Sequence, residues 1–459
     1  MDVAVAGIAP WLPSPSQHFL CGAVALLVYS LTTRTGQLRR PPAAAIAWVM
    51  GLVLFPYGIL PLYLIFGRRK MKLRHVKRAR PRDAWTDWAP TLIQTFGFPA
   101  PARARVRFHA DGAEARDALW EIIERAERSL DVCTFIVGDD AIGRELLARL
   151  AARARAGVKV RLLIDGAGRW LTRQPSYEVL RSAGGQVRVF HPLFSLHPYG
   201  PRNLRNHRKL VVADGQWLWS GGRNFAAAYF CGQPGSEKPW IDLSFDLQGT
   251  VVGAAARQFS LDWDGDADVD SLEAEPPAEG AGTLTQYVSS GPDQPEDTVQ
   301  ALLLAACVRA QSRFLAVSPY FVPDESLLAA LRLAALRGVR VTLVLPASSN
   351  HPLADFVRTR ALRALASAGA DIRLVPQMVH AKAVIIDDSL ALSGSVNLDA
   401  RSLLINYEAE FAFYEAADIQ WLSQWVEALA ERGTPFVLRA PSLLRDVAEG
   451  LLLTVAFQL

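Results

Sequence analysis

The chain has 459 residues, long enough for two or three domains rather than one small one, and 51% of them are hydrophobic, enough for sizeable cores. Gly (32) and Pro (28) are ordinary in number, which excludes collagen-like and low-complexity classes. The net charge is +4, but nine basic residues crowd between Arg68 and Arg82; without them acidic residues outnumber basic ones, which argues against a polyanion binder that is basic all over. Four widely spaced cysteines (Cys21, Cys133, Cys231 and Cys307) show no zinc-ligand spacing and no disulfide framework, and they fit a reducing compartment.

Two apolar stretches open the chain. Phe19–Leu31 is short. Ala43–Phe66 runs 24 residues without a charge, which at helical rise exceeds the hydrocarbon core of a bilayer. Pro56 and Pro61 within it are tolerable in a membrane helix if neighbours satisfy the freed backbone groups. The pattern predicts a transmembrane helical hairpin over about 17–33 and 43–66. No basic residue precedes Arg34, which disfavours a cleaved signal peptide. The nine basic residues after the second stretch outweigh Arg34, Arg39 and Arg40 between the two. They place everything beyond Gly67 on the cytoplasmic side of the membrane, next to anionic lipid headgroups.

Beyond residue 100 the chain repeats itself. A strand at Arg128–Phe135 is followed by a helical pattern through Leu150, then by Ala156–Gly157–Val158, a helix stop, and a buried strand to Asp165. The second copy runs from Arg313–Val317 through Leu331 to Arg337–Gly338–Val339 and a strand to Leu345. Strands alternating with helices predict α/β units with a parallel or mixed sheet in each half. Between the halves, Asp262–Glu279 holds eight acidic residues and no basic ones. Its spacing does not fit an EF-hand, and it reads as a solvated linker.

Each half carries one short pattern: His207–Arg208–Lys209 with Asp214 and then Gly221–Gly222–Arg223–Asn224, and His380–Ala381–Lys382 with Asp387 and then Gly394–Ser395–Val396–Asn397. Both fit HxKxxxxD followed by G[GS]xN. One HxK means little, whereas two copies at matching places in a repeat are a strong signal. On a strand, His and Lys at i and i+2 face one side. Two-residue hairpin loops at Asp214–Gly215 and Asp387–Asp388 would set His207 opposite Gly222 and His380 opposite Ser395, and would bring Asn224 and Asn397 near the His–Lys pairs. Each motif Asp lies ~16 Å along the strand from its Lys, which suits a turn role rather than substrate contact.

Imidazole, ammonium and amide together suit a phosphoryl oxyanion. Lys209 and Lys382 would neutralise non-bridging oxygens, and Asn224, Asn397 and Ser395 would complete the phosphate site. One histidine can attack phosphorus while the other protonates the leaving alcohol and then deprotonates the acceptor, chemistry that needs no metal or other cofactor. A nucleophilic histidine needs its second ring nitrogen held by an acceptor, and Asp242 and Glu408, one after each motif, are the candidates. The other six histidines form no such pattern, although His191 and His197 are close enough in sequence to line a cleft.

On these residues the chain resembles the phospholipase D superfamily, and within it the bacterial cardiolipin synthases. The likeness extends to Trp240–Ile241–Asp242, Pro319–Asp324 and Asn397–Ser402. It implies an α/β fold of two tandem phospholipase D-like α-β-α lobes related by a pseudo-two-fold axis, preceded by the membrane hairpin. The implied divisions are an anchor at 1–67, a basic linker at 68–100, lobes at 101–261 and 284–459, and the acidic linker at 262–283. The implied activity is transfer of a phosphatidyl group from one phosphatidylglycerol to another with release of glycerol. His207, Lys209, Asp214, His380, Lys382 and Asp387 would form the catalytic motifs, with Asp242 and Glu408 orienting the histidines. The resemblance favours His207 as nucleophile, while the residues alone leave open which histidine attacks.

A hydrolase using the same intermediate, or a transferase with another alcohol acceptor, is the nearest alternative. A nuclease is disfavoured by the apolar amino end and the acidic body, and no nucleic-acid partner is expected. A non-catalytic scaffold would not require two intact motifs. The apolar end, Leu451–Leu459, either docks on the membrane or folds back on the body.

Overall fold

The computed structural model describes residues 13–35, 42–67, 70, 88–192, 203–232, 238–264 and 282–456. Most of the basic run, His197 and most of the acidic segment lie outside these residues. Contacts divide the chain into two units, Met1–Lys72 with Phe194–Asn203, and Leu73–Leu193 with Leu204–Leu459.

The first unit holds α1 (Pro15–Thr35), α2 (Pro42–Leu54) and α3 (Pro56–Phe66). They pack around Ala25, Leu52 and Tyr63, with the Tyr63 hydroxyl 2.6 Å from the Thr32 hydroxyl. The single helix expected over 43–66 is two helices. Pro56 lacks an N–H and restricts the residue before it, and Phe55 leaves the helical region with φ −139° and ψ 59°. Among the described residues no helix is long and apolar enough to cross a membrane.

In the second unit, α4 (Trp88–Thr95) precedes the first repeat. That repeat consists of β1 (Ala102–His109), α5 (Gly112–Arg125), β2 (Ser129–Thr134), α6 (Ala141–Arg155), β3 (Lys159–Asp165), the short α7 (Gly168–Leu171) and α8 (Glu178–Arg181), β4 (Gln186–Phe190), β5 (Leu210–Ala213), β6 (Trp217–Gly221), β7 (Ser244–Gly249) and α9 (Val251–Asp264). The second repeat runs β8 (Thr283–Ser290), α10 (Thr298–Arg309), β9 (Arg313–Val317), β10 (Phe321–Val322), α11 (Glu325–Leu336), β11 (Arg340–Pro346), α12 (Pro352–Ser367), β12 (Asp371–Val375), β13 (Ala383–Ile386), β14 (Leu390–Gly394), β15 (Leu398–Asp399), α13 (Ala400–Leu404), β16 (Glu408–Phe413) and α14 (Ala416–Glu431), with β17 (Thr434–Pro435) and α15 (Leu443–Ala456) at its end.

Local chemistry explains the matched elements. Asp140 and Asp324 accept backbone N–H bonds at the starts of α6 and α11. Gly157 and Gly338 end those helices, each with φ near +92°, and the chain turns into β3 and β11. The repeat appears in the sheet order, β4-β3-β2-β5-β6-β7-β1 meeting β8-β16-β14-β13-β9-β11-β12-β17. Instead of a separate sheet in each half, the described strands form one 15-stranded sheet and a small β10–β15 pair. The halves join where Ala102–Ala104 of β1 pairs antiparallel with Thr283–Thr285 of β8. That junction sits on the pseudo-two-fold axis, and unpaired edges on β1 and β8 are thereby avoided. Apolar residues such as Phe245, Phe259, Phe411 and Phe413 fill one face across both lobes.

Two expectations are corrected here. The motif hairpins have three-residue loops, since Ala213 pairs with Trp217 and Ile386 with Leu390. The register therefore shifts by one, and His207 and His380 precede the paired strands rather than facing Gly222 and Ser395. The acidic segment is not wholly a solvated linker either. Asp262 lies on α9, with its side chain buried and paired with Arg208.

Candidate active site

β5 and β13 run antiparallel to β2 and β9, so the residues before them emerge where β2 and β9 end. There the lobes are stitched by main-chain bonds. The His207 N–H donates to the Tyr407 carbonyl (2.8 Å) and the Tyr407 N–H to the Arg205 carbonyl (2.9 Å). On the other side, the His380 N–H donates to the Ile241 carbonyl (2.7 Å) and the Ile241 N–H to the Met378 carbonyl (2.9 Å). Each motif histidine is thus fixed to the segment following the other motif.

The carboxylates cross over in the same way. His207 Nδ1 lies 3.1 Å from both Glu408 oxygens, and His380 Nδ1 lies 2.7 Å from Asp242 Oδ2. An Nδ1–H donated to a carboxylate leaves Nε2 with its lone pair. Sequence spacing placed each acid in the same half as the motif before it; the fold assigns it to the opposite histidine. Lys209 Nζ donates to the His207 carbonyl (2.7 Å), and Lys382 Nζ lies 3.2 Å from His380 Nε2. His207 interacts electrostatically with Lys382, and His380 with Lys209, so both pairs share one site.

His380, Lys209 and Lys382 are buried, and the His207 side chain is only 12% exposed. Burial lowers the His207 imidazole below its usual value against the pull of Glu408. Burial and then Lys382 bring His380 down to about 3. Burial also brings Lys209 to about 7 and Lys382 to about 8, against the neighbouring carboxylates. Burial raises Asp242 and Glu408, but His380 and His207 respectively hold each below its ordinary value. These shifts favour ionised carboxylates and neutral imidazoles, with lysines that titrate near neutral pH. A bound anion would favour their charged forms.

The other expected residues fall into place less uniformly. Asn224 donates to the Tyr229 hydroxyl (3.0 Å), and the Tyr229 ring packs edge-on against His380 at 4.9 Å. Among the described residues, the buried amide oxygens of Asn224 and Asn397 have no hydrogen-bond partner. Ser395, expected at the phosphate, instead donates its hydroxyl to Glu408 and accepts the Ala409 N–H (3.0 Å), because its strand lies directly against β16. In the first lobe its counterpart is Gly222, where an added Cβ would come within 2.2 Å of Asp242. Asp214 and Asp387 are at the far ends of β5 and β13, in left-handed turns (φ +55° and +48°). Their carboxylates accept the N–H groups of Glu127, Arg128 and Ser129, and of Gln311, Ser312 and Arg313, at 2.7–3.0 Å. They hold turns, at the ends of β5 and β13 away from the motif histidines. His191 is half-buried, with Nδ1 3.1 Å from the Leu204 carbonyl.

Sequence reasoning missed Arg208. It is fully buried and pairs with Asp262 (2.5 Å) and Asp293 (3.1 Å) while donating to the Glu408 carbonyl (3.1 Å). The available signal was Arg at a position where the second motif has Ala381. Also missed were the rings flanking the histidines. Phe135 stands edge-on to His207 at 5.2 Å, and Trp240 tilts over His380 at 5.7 Å.

Two lobes, each giving one site a histidine, a lysine and the carboxylate that holds the other lobe's histidine, define a phospholipase D-type phosphodiester site. The family described as "Cardiolipin synthase, PLD-like domain" matches residues 119–234 and 303–430. Cardiolipin synthase A of Pseudomonas aeruginosa (strain LESB58) is 34% identical over 84% of this chain and 83% of its own. That of Pseudomonas putida (strain W619) is 32% identical over 85% of each. The crystal structure of phosphatidylserine synthase from Haemophilus influenzae Rd KW20 shares the fold, with TM-score 0.62 at 14% identity over 81% of this chain and 100% of that one. The chain belongs to the phospholipase D-like cardiolipin synthase family.

Proposed function

We propose that the protein is a cardiolipin synthase that transfers a phosphatidyl group from one phosphatidylglycerol to another. The observation carrying this reading is the crossed pair of carboxylate-held histidines, each with its motif lysine beside it. His207 Nε2 attacks phosphorus and the P–O bond to glycerol breaks. His380, protonated once the anionic diester is bound, gives its proton to the departing oxygen. The neutral His380 then takes the proton from the hydroxyl of a second phosphatidylglycerol. Its oxygen displaces His207 and yields cardiolipin. Glu408 and Asp242 hold each imidazole in the tautomer required and stabilise its cationic form. Lys209 and Lys382 neutralise the non-bridging oxygens, and Asn224 and Asn397 donate to them. Incubation with phosphatidylglycerol labelled in the acyl chains and headgroup tests this. Labelled cardiolipin with free glycerol is expected; phosphatidic acid as the main product would make the enzyme a hydrolase.

The same reading places an anchor at 1–67 in the cytoplasmic membrane as a helical hairpin, followed by a basic linker at 68–100. Lobes at 101–261 and 284–459 would face the cytoplasm. The uncharged run Ala43–Phe66 and the nine basic residues after it support this. A fluorescent protein fused at the carboxyl end should fluoresce, and a periplasm-dependent alkaline phosphatase there should be inactive. The reverse result would invert the topology.

A further inference from the structure

Two apolar patches in the second unit stand in solvent beside segments that build the active site. In the first lobe, Trp170 and Leu171 on α7 are 65% and 66% exposed. Asp165, at the end of β3, accepts the Gly168 N–H of α7 and also the Asn206 N–H next to His207. α7 is therefore mounted directly beside the first motif. In the second lobe, α15 is pinned by its polar side. Glu449 is fully buried and pairs with Arg363 and Arg445, while Leu452 and Leu453, like Tyr320, pack against the cluster of Val322, Ala354 and Val357. Tyr320 lies three residues past β9, on the edge from which His380 emerges, and β10, which includes Val322, pairs with β15 beside Asn397.

The outward face of α15 carries Leu443, Leu444, Val447 and Leu451, with Leu443 and Leu444 at least 80% exposed. These positions share one side of a helix. At fourteen residues, ~21 Å at helical rise, α15 is too short to cross a bilayer but long enough to lie in its surface. Exposed arginines flank both patches, Arg169 and Arg173 in the first lobe, Arg439 and Arg445 in the second. Apolar and aromatic side chains bordered by arginines match the acyl boundary and headgroups of an anionic bilayer.

We propose that α7 and α15 dock the catalytic lobes onto an anionic phospholipid surface, so that the active site receives its lipid from the bilayer rather than from water. This rests on the substrate being a phospholipid, and its first test does not depend on turnover. In a chain with Cys21 and Cys231 replaced by Ser, a fluorophore on Leu444→Cys is read in the full protein reconstituted in phosphatidylglycerol–phosphatidylcholine vesicles. Acyl chains brominated near the headgroup should quench it, and should not quench the same probe on Arg432→Cys. Equal quenching at both positions, or none at 444, would overturn the proposal.

The second test is the triple variant L443S/L444S/L451S. It should lose about tenfold in turnover on vesicles while keeping the parent rate on short-chain phosphatidylglycerol below its micelle concentration. Equal loss on both substrates would mean that the stripe only supports the fold. A change from dimer to monomer with vesicle turnover intact would mean that a second copy of the chain covers it. Either result rejects lipid docking.

Discussion

Glu408 of the second lobe holds His207 of the first, with both carboxylate oxygens 3.1 Å from Nδ1. Asp242 returns the contact to His380 at 2.7 Å. Each lobe by itself would have a histidine without an acceptor, so the catalytic unit is the joined pair. Glu408→Gln and Asp242→Asn should each lower kcat by about a hundredfold or more while the protein stays folded, since a misplaced tautomer removes the lone pair the reaction uses. Circular dichroism alongside labelled-lipid turnover checks this. Near-parental kcat in either variant would remove the orienting role.

Ser395 separates two roles that sequence alone merged. If its hydroxyl serves Glu408, Ser395→Ala should lower kcat by roughly tenfold with little change in KM, as is common for groups that orient a reacting side chain. A raised KM at unchanged kcat would instead return Ser395 to the phosphate.

Much of this site was legible in the chain, and the reasons are local. HxK on a strand fixes which side chains share a face, and Gly157 and Gly338 mark where helices must stop. The motif Asp residues could be assigned to turns because a strand's rise sets their distance. The crossing of the carboxylates was not legible. It depends on the β1–β8 junction bringing the halves together about a pseudo-two-fold axis, and nothing near Asp242 or Glu408 in sequence encodes that partner. Asp262 misled for a related reason. Among so many acids it read as solvated, but its partner Arg208 is 54 residues away and buried.

Arg208 ties Asp262 and Asp293 together and reaches the Glu408 carbonyl. Arg208→Ala would leave two carboxylates facing each other without a cation. A loss of roughly 3–5 kcal/mol of stability is expected, measured by denaturant unfolding of the solubilised protein. Adding Asp262→Asn should recover part of that loss, and no recovery would show that the pair is not the main term.

Asp214 and Asp387 each accept three backbone N–H bonds at a turn. Asp214→Asn and Asp387→Asn should cost roughly 1–3 kcal/mol of stability, yet retain most kcat below the melting range. Loss of kcat in a fully folded variant would place these carboxylates in the chemistry.

The pH profile follows from burial. The nucleophile must be neutral, and His207 is held below its ordinary value, so the acid limb of kcat/KM should lie below the usual histidine range. The lysines must be charged to receive the phosphate, and they lose their protons near 7 and 8. Activity should therefore fall as pH rises through that interval. Lys209→Arg, which keeps its charge, should move the alkaline limb upward in whatever activity remains. An alkaline limb unchanged in that variant would assign the titration to another group.

The most direct measurement traps the covalent intermediate. Labelled phosphatidylglycerol is mixed with the reconstituted protein, the reaction is quenched within a turnover, and the labelled peptide is mapped. The phosphatidyl group should sit on His207, accumulate in Glu408-intact His380→Ala protein given a donor with a good leaving group, and be absent from His207→Ala. Label on neither histidine, with cardiolipin still formed, would contradict the two-histidine mechanism.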